Sequence, residues 1–487
     1  MNVFDYLFDA TKDFEKDFLL GSKETISFKK LYADSLKIAS YLKATIGERQ
    51  NVLLISPNSV FFLTAYLGIV KSGNTCIPLN FAMEQSNLDF ILNTTESTTV
   101  FVAKAIKRKL KFNHDIHLID EDESLQILSK QNILDFNLNF DKNRVAEIIF
   151  TSGSTGAPKG VMISHNNIVA NTNSIIEYLK LSSKDIIAVV MPFFYCYGLS
   201  LLHTHLKVGG AIVLNNSFMF LGTVINDLIN YKCTGFAGVP SHFQMLSKKS
   251  QSFKTKEFPD LRYMTQAGGK LHTVFIQEFI KAFPKKEFYV MYGQTEATAR
   301  LSYLPSELIK TKTSSIGQAI PNVKLKVVNA KGEAVRIDEE GELLAKGENI
   351  MLGYYKDEIG TKKAIKDGWL YTGDIAKVDE DGFIYLVARK KEIIKVGGKR
   401  VSPKEIEEVI LSVSEVVDCS INGIEDSLLG EAIQATIVLN GKMDEVVAKE
   451  KILQECSKNL ALYKIPQKFI FEKFIQMGET GKKVKKI

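Results

Sequence analysis

VAEIIFTSGSTGAPKG, residues 145–160, joins an apolar run to a stretch with almost no side-chain bulk. VAEIIF reads as a buried strand. Seven of the ten residues that follow are glycine, serine or threonine, and one, Lys159, is basic. So lean a loop lets backbone N–H groups approach a ligand, and its hydroxyls and lysine add further donors. That combination suits a polyanion such as a triphosphate. The pattern G-x-x-x-x-G-K-[ST] does not fit: Gly153 and Gly156 are too close together. Gly160 follows Lys159, so no hydroxyl stands where Mg²⁺ would need one.

Outward from this loop, residues 25 to about 300 alternate strand-like with helix-like runs. NVLLIS precedes VFFLTAYLGIVKSG, TCIPLN precedes EQSNLDFILNTT, and TGFAGV precedes SHFQMLSKKS. Continuous β-branched runs between amphipathic helices predict α/β layers of parallel sheet covered on both faces. Beyond residue 315 the texture turns to short strands, VKLKVVN, GELLAKG and FIYLVAR, forming a small β-rich part. A small α+β unit begins near Arg389. Its first helix is expected in SPKEIEEVILSV, with Ser402 as N-cap, Pro403 at N1 and Glu405 at N3 closing a capping box. The expected domains are residues 1–388 and 389–487.

The bulk properties exclude several classes. A net charge of +6, from 62 basic and 56 acidic residues, is small for 487 residues and argues against a nucleic-acid partner. The five cysteines, Cys76, Cys196, Cys233, Cys419 and Cys456, form no CxxC pair and predict neither a disulfide framework nor a zinc site. The N-terminus carries acids where a signal peptide needs basic residues. IIAVVMPFFYCYGLSLL is interrupted by Pro192 and Gly198, so strand, turn and helix are expected there, not a membrane segment. A soluble, cytoplasmic protein is the expectation.

AGGK (267–270) is a stretch of little bulk, and three further stretches give the loop a context: MYGQTEA (291–297), the block GWLYTGDIAKVDEDGFIYLVARKKEIIKVGGKRVSPKEIEEVI (368–410), and ETGKK (479–483). Together with IIFTSGSTGAPKGVMISHNNI these three closely resemble, in order, the motifs of the AMP-forming adenylating enzymes. That superfamily includes acyl- and aryl-CoA synthetases, peptide-synthetase adenylation domains and luciferases, and the resemblance spans essentially the whole chain. It implies that a carboxylic acid is joined to the α-phosphate of ATP with loss of pyrophosphate. A thiol, that of CoA, then displaces AMP.

Residue by residue, the resemblance implies that Thr151, Ser152, Gly153, Ser154, Thr155 and Gly156 cradle the β- and γ-phosphates beside Lys159. Glu296 is the implied Mg²⁺ ligand and Thr295 the partner of the α-phosphate. Tyr292, Gly293 and Gln294 are implied on one side of the adenine, with Gly268, Gly269 and Lys270 as a wall of little bulk. Asp374 is implied as acceptor for the ribose hydroxyls, supported by Arg389. Lys482 would bridge the acid and ATP during adenylation. The small domain would swing about Lys391, within residues 389–391. Lys395, Gly397 and Gly398 would then face the site in the thiol-transfer pose.

Tyr195, Cys196, Gly198 and Val239 fall in the implied acyl pocket. Peptide-synthetase domains hold an amino group with an aspartate where this chain has Cys196. An uncharged thiol cannot pair with an ammonium, so an acid without a free α-amine is expected. The aromatic, apolar segments FFYCYG and GFAGVPSHF favour an apolar or aromatic acid. Transfer to a carrier-protein phosphopantetheine thiol or to an amine is the alternative second step. A non-catalytic nucleotide-binding protein is the other class, disfavoured by the presence of Lys482, Glu296 and Asp374.

Overall fold

The computed structural model describes residues 1–21, 23–136, 140–151, 158–426, 429–441 and 443–475. These residues form four sheets. The first has nine strands, in the order Gln318–Ala319, Ser302–Leu304, Glu287–Tyr292, Tyr263–Gln266, Gly235–Gly238, Ile186–Val189, Ala211–Leu214, Asp17–Leu20, Ile26–Ser27. Its interior is parallel and its ends are antiparallel. The second has seven strands: Gly353–Tyr354, Lys159–Ser164, Val145–Thr151, Thr75–Leu79, Asn51–Ile55, Thr99–Val102, His117–Ile119. It too is parallel at its centre.

Between these sheets lies the helix Val60–Lys71, buried from Phe61 through Lys71 on every side. Its apolar sequence has no wet face to supply. Tyr66 ties the layers together: its hydroxyl donates to Glu147 Oε2 at 2.9 Å in the second sheet. The same oxygen lies 2.7 Å from His203 Nε2, on the helix Cys196–Val208 beside the first sheet. Burial pushes the Glu147 carboxyl up to about 7 and the His203 imidazole down to about 3. The Tyr66 phenol, itself in contact with the neutral His203 imidazole, therefore serves this interior carboxyl.

The third sheet, antiparallel, holds Val323–Val328, Gly341–Gly347, Trp369–Val378, Ile365–Lys366 and Ile384–Arg389. Trp369 heads its longest strand with Lys326 Nζ 4.2 Å from the ring centroid. After Arg389 the chain enters a fourth sheet of its own, Lys399–Val401, Ile394–Val396, Gly430–Leu439, Val416–Asp426 and Lys468–Phe471. It is covered by the helices Pro403–Leu411 and Glu445–Asn459. Ile406 and Ile410 of the first are fully buried, as the apolar spacing requires.

The strand Val145–Thr151 pairs antiparallel with Lys159–Ser164, a pairing that local pattern did not reveal. One expectation is corrected. The capping box at Ser402 does not form. Pro403 does stand at the first helical position, but the Ser402 side chain makes no cap bond. It donates to the Val387 carbonyl at 2.6 Å, while Glu405 accepts from Lys464 at 2.6 Å. Partners on neighbouring elements prevail over the local ones.

Candidate active site

Where the pairing of Val145–Thr151 with Lys159–Ser164 ends, Thr151 stands opposite Lys159. Ser152, Gly153, Ser154, Thr155 and Gly156 lie outside the described residues, as does Lys482. Lys159 Nζ donates to Asp357 Oδ2 at 2.8 Å and sits 4.8 Å from the Tyr354 ring centroid. Lys159 and the Gly360 N–H hold the Asp357 carboxyl below the usual range. Tyr354 in turn donates its hydroxyl to Glu296 Oε1 at 2.9 Å. The basic end of the lean loop and the acid of MYGQTEA are thus joined through one phenol. Tyr354 and Asp357 are residues that sequence reading missed. Lys159 and Asp357 stand 198 positions apart, and no local pattern encodes such a contact. The signal is the short antiparallel pairing of Gly353–Tyr354 with Met162 and Val161.

Glu296 and Thr295 occupy a tight loop between the antiparallel strands Glu287–Tyr292 and Ser302–Leu304. The loop folds back so closely that a Cβ on Gly293 would collide with the Ala299 carbonyl. Glu296 is half-buried. Thr295 is buried, with Cys196 Sγ 3.6 Å from its hydroxyl. Gln294 Nε2 is a buried donor without a hydrogen-bond partner among the described residues.

Tyr292 ends its strand with its hydroxyl donating to Asp374 Oδ2 at 2.6 Å. Arg389 approaches the same carboxylate at 3.4 Å from the adjacent strand, where Asp374 and Arg389 are in register. Asp374 is 6% exposed. Burial raises its carboxyl above the usual range, and Arg389 and the Tyr292 hydroxyl pull against that rise. Burial and the neighbouring carboxylate push the Tyr292 phenol up, so it remains a donor. In AGGK, Gly268 takes a φ of +82°, Gln266 Nε2 holds the Gly269 carbonyl at 2.6 Å, and Lys270 reaches Glu408 at 3.3 Å.

Other expected residues are not drawn to this cluster. Lys391, Lys395, Gly397 and Gly398 are exposed. The last two form the tip of the hairpin between Ile394–Val396 and Lys399–Val401. Tyr195 precedes the helix Cys196–Val208 as its N-cap. Gly198 is small for a packing reason: a Cβ there would strike the Pro192 carbonyl. Val239 is fully buried as the N-cap of the helix Pro240–Lys249.

A half-buried carboxylate, a buried unpartnered amide donor and a glycine-backed carboxylate acceptor fit a magnesium-bound nucleotide. No group of three or more His, Cys, Asp or Glu among the described residues could hold a metal.

Comparison with known proteins gives this arrangement a lineage. Residues 9–355 match the model of the AMP-binding enzyme family, and residues 405–482 that of the AMP-binding enzyme C-terminal domain. A Bacillus subtilis protein provisionally named as an acyl-CoA synthetase, YngI, is 33% identical over 71% of this chain and 63% of its own length. The oxalate–CoA ligase of Arabidopsis thaliana is 30% identical over 88% of this chain and 86% of its own. In fold, the anthranilate CoA ligase AuaEII superposes with a TM-score of 0.92 at 21% identity, covering 99% of this chain and 95% of its own. The paired strands that flank the glycine-serine segment, the MYGQTEA loop and the Asp374–Arg389 pair therefore stand in a chain that belongs to the AMP-binding enzyme family of acyl-CoA synthetases and CoA ligases.

Proposed function

We propose that this protein is an ATP-dependent, AMP-forming acid–thiol ligase that activates a carboxylic acid as its acyl-adenylate and passes the acyl group to CoA. The observation that supports it best is the Tyr292–Asp374–Arg389 cluster standing within one fold beside Thr295 and Glu296. A carboxylate repels nucleophiles and has no adequate leaving group. Attack of its oxygen on the α-phosphorus of ATP expels pyrophosphate and leaves an anhydride. The thiol then attacks the acyl carbon, and AMP departs.

Because both partners of the first step are anions, the protein's task is positioning and charge neutralisation. Asp374 accepts the ribose hydroxyls, with Arg389 keeping it ionised. Tyr292 and the Gly268–Gly269 turn flank the base. Thr151 and the Ser152–Gly156 segment take the outer phosphates, with Lys159 as the adjacent cation. Glu296 would hold Mg²⁺, which supplies charge neutralisation on the phosphates when bound. Thr295 bonds the α-phosphate, and Lys482 bridges it to the acid. Residues 389–487 would turn about Lys391 between the two steps, bringing the Gly397–Gly398 hairpin toward the site for the thiol. Cys196, buried against Thr295, places an uncharged thiol beside the reacting carboxylate and favours an acid without an α-amine.

The test supplies ATP, Mg²⁺ and a panel of apolar, aromatic and amino acids with hydroxylamine as trap, then repeats it with CoA or carrier protein. Hydroxamate and AMP form, CoA is acylated, and Lys482→Ala loses about 10²–10³-fold in the trapped step. Release of ADP, an α-amino acid as best substrate, or full activity in Lys482→Ala would each refute part of the reading. Acylation of carrier protein alone would replace CoA as acceptor.

A further inference from the structure

Two residues beyond Glu296, the backbone does something a β-branched residue rarely does. Thr298 has φ +64° and ψ −56°. The Ala299 N–H donates to the Ala297 carbonyl at 2.7 Å, two residues back. This is the φ-positive γ-turn, which is rare and strained even for residues without a branched Cβ. Such strain persists only where the surroundings over-determine it. Here most of the grip comes from one residue, through its side chain and its backbone carbonyl, with Asn171 Nδ2 adding a bond to the Arg300 carbonyl at 3.1 Å. Asn349, 1% exposed, donates from Nδ2 to the Arg300 carbonyl at 2.8 Å and to the Ala297 carbonyl at 3.3 Å. The Asn349 carbonyl accepts the Thr298 hydroxyl at 2.7 Å. It thus grips the turn on both sides and at its apex. Two residues on, the Met351 N–H donates to the carbonyl of Glu296 itself at 2.9 Å.

We propose that Asn349 is a positioning residue: it clamps the strained turn at Thr298 and so fixes where the Thr295 hydroxyl and the Glu296 carboxylate stand for MgATP. The proposal rests on the adenylating reading above. In this role Asn349 acts through the backbone of residues 296–300. The strain has a corollary. The clamp is needed because Thr298 resists its conformation, so a residue at ease with positive φ needs it less.

Thr298→Val keeps the branched Cβ and loses the hydroxyl. Thr298→Gly loses both and accepts the turn. Asn349→Asp keeps the shape but turns a donor into an anion facing two carbonyls. For each variant, and for Thr298→Gly/Asn349→Asp, pyrophosphate exchange, the KM for MgATP and for the acid, MgATP affinity by calorimetry and the melting temperature are measured. Misplacing a reacting group costs roughly ten- to a hundredfold. Thr298→Val and Asn349→Asp are expected to fall in that range in exchange rate and MgATP affinity, with the acid KM unchanged. Thr298→Gly loses far less, and in the double variant it restores much of what Asn349→Asp lost. Equal losses in Thr298→Val and Thr298→Gly overturn the proposal. So does a loss that merely follows melting temperature, or a rise in the acid KM instead of the MgATP KM. If Asn349→Asp does not fold, the valine–glycine pair decides alone. A wild-type protein that binds MgATP but forms no adenylate sinks the activity and leaves the clamp to be judged by calorimetry. One that binds no MgATP sinks both.

Discussion

Asp374 is held between opposing influences. Burial favours its neutral form, and the Arg389 guanidinium favours its charge. In the proposed role the carboxylate must be ionised to accept two ribose hydroxyls. ATP binding is therefore expected to weaken on the acid side at a pH above the ordinary carboxylate range. Arg389→Met removes the charge that favours ionisation, so the acid limb of kcat/KM for ATP should move to still higher pH. A pH profile of that constant checks the direction; a downward displacement would show that Arg389 acts on something other than Asp374. Glu147 offers the same physics without the ligand. Its carboxyl sits near 7 in the folded protein, against about 4.3 in an open chain. A raised carboxyl stabilises the fold below its unfolded value, and that contribution is lost as pH rises through about 7. Glu147→Gln can still accept the Tyr66 hydroxyl and carries no charge. At pH above 8 it should raise the unfolding free energy by a few kcal/mol, since each tenfold change in proton affinity is worth about 1.4 kcal/mol. At pH 4, below the unfolded value, it should change little. Urea titrations at the two pH values check this, and an equal effect at both would show that the charge of Glu147 is not what matters.

At the level of single elements, the loop from Gly293 to Leu301 is specified by steric limits as much as by chemistry. Gly293→Ala would drive a methyl into the Ala299 carbonyl. Overpacking of this kind costs about 1–3 kcal/mol, so a lower urea midpoint should accompany a lost exchange activity. A variant of wild-type stability and activity would show that the two segments part more easily than their spacing suggests. The strand and helix runs of the first 300 residues were legible because their periodicity is local. Asn51–Ile55, Val60–Lys71, Gly235–Gly238 and Pro240–Lys249 stand where the apolar patterns put them. Tyr292, Asp374 and Arg389 were singled out by motif, although ARKK departs from the commoner pattern at Arg389, and the structure brings Tyr292 and Arg389 to the Asp374 carboxylate. Tyr354, Asp357 and Asn349 were not, since each acts across tens to hundreds of positions. Ser402 shows the other limit. Its capping signal was correct in residue type, yet the hydroxyl found the Val387 carbonyl instead.

For the molecule as a whole, a charged knot ties the first 388 residues to the remainder. His272, buried at the start of the helix Thr273–Ala282, lies 3.0 Å from Glu408 and 3.6 Å from Glu407 on the helix Pro403–Leu411. Glu408 also takes the Thr273 N–H at 2.8 Å. Burial raises the Glu408 carboxyl, but His272 and Lys270 outweigh it and hold it far below the usual range. If residues 389–487 turn between the two half-reactions, this knot must open. Glu408→Gln should therefore raise the thiol-dependent rate relative to pyrophosphate exchange, measured on the same preparation. An unchanged ratio would mean that the knot survives both steps. One last feature makes such motion visible. The sequence holds a single tryptophan, and it lies five residues before Asp374 on the same strand, under the ammonium of Lys326. All indole emission thus arises at one address on the strand that carries Asp374, and unlabelled protein carries its own optical gauge of what happens there.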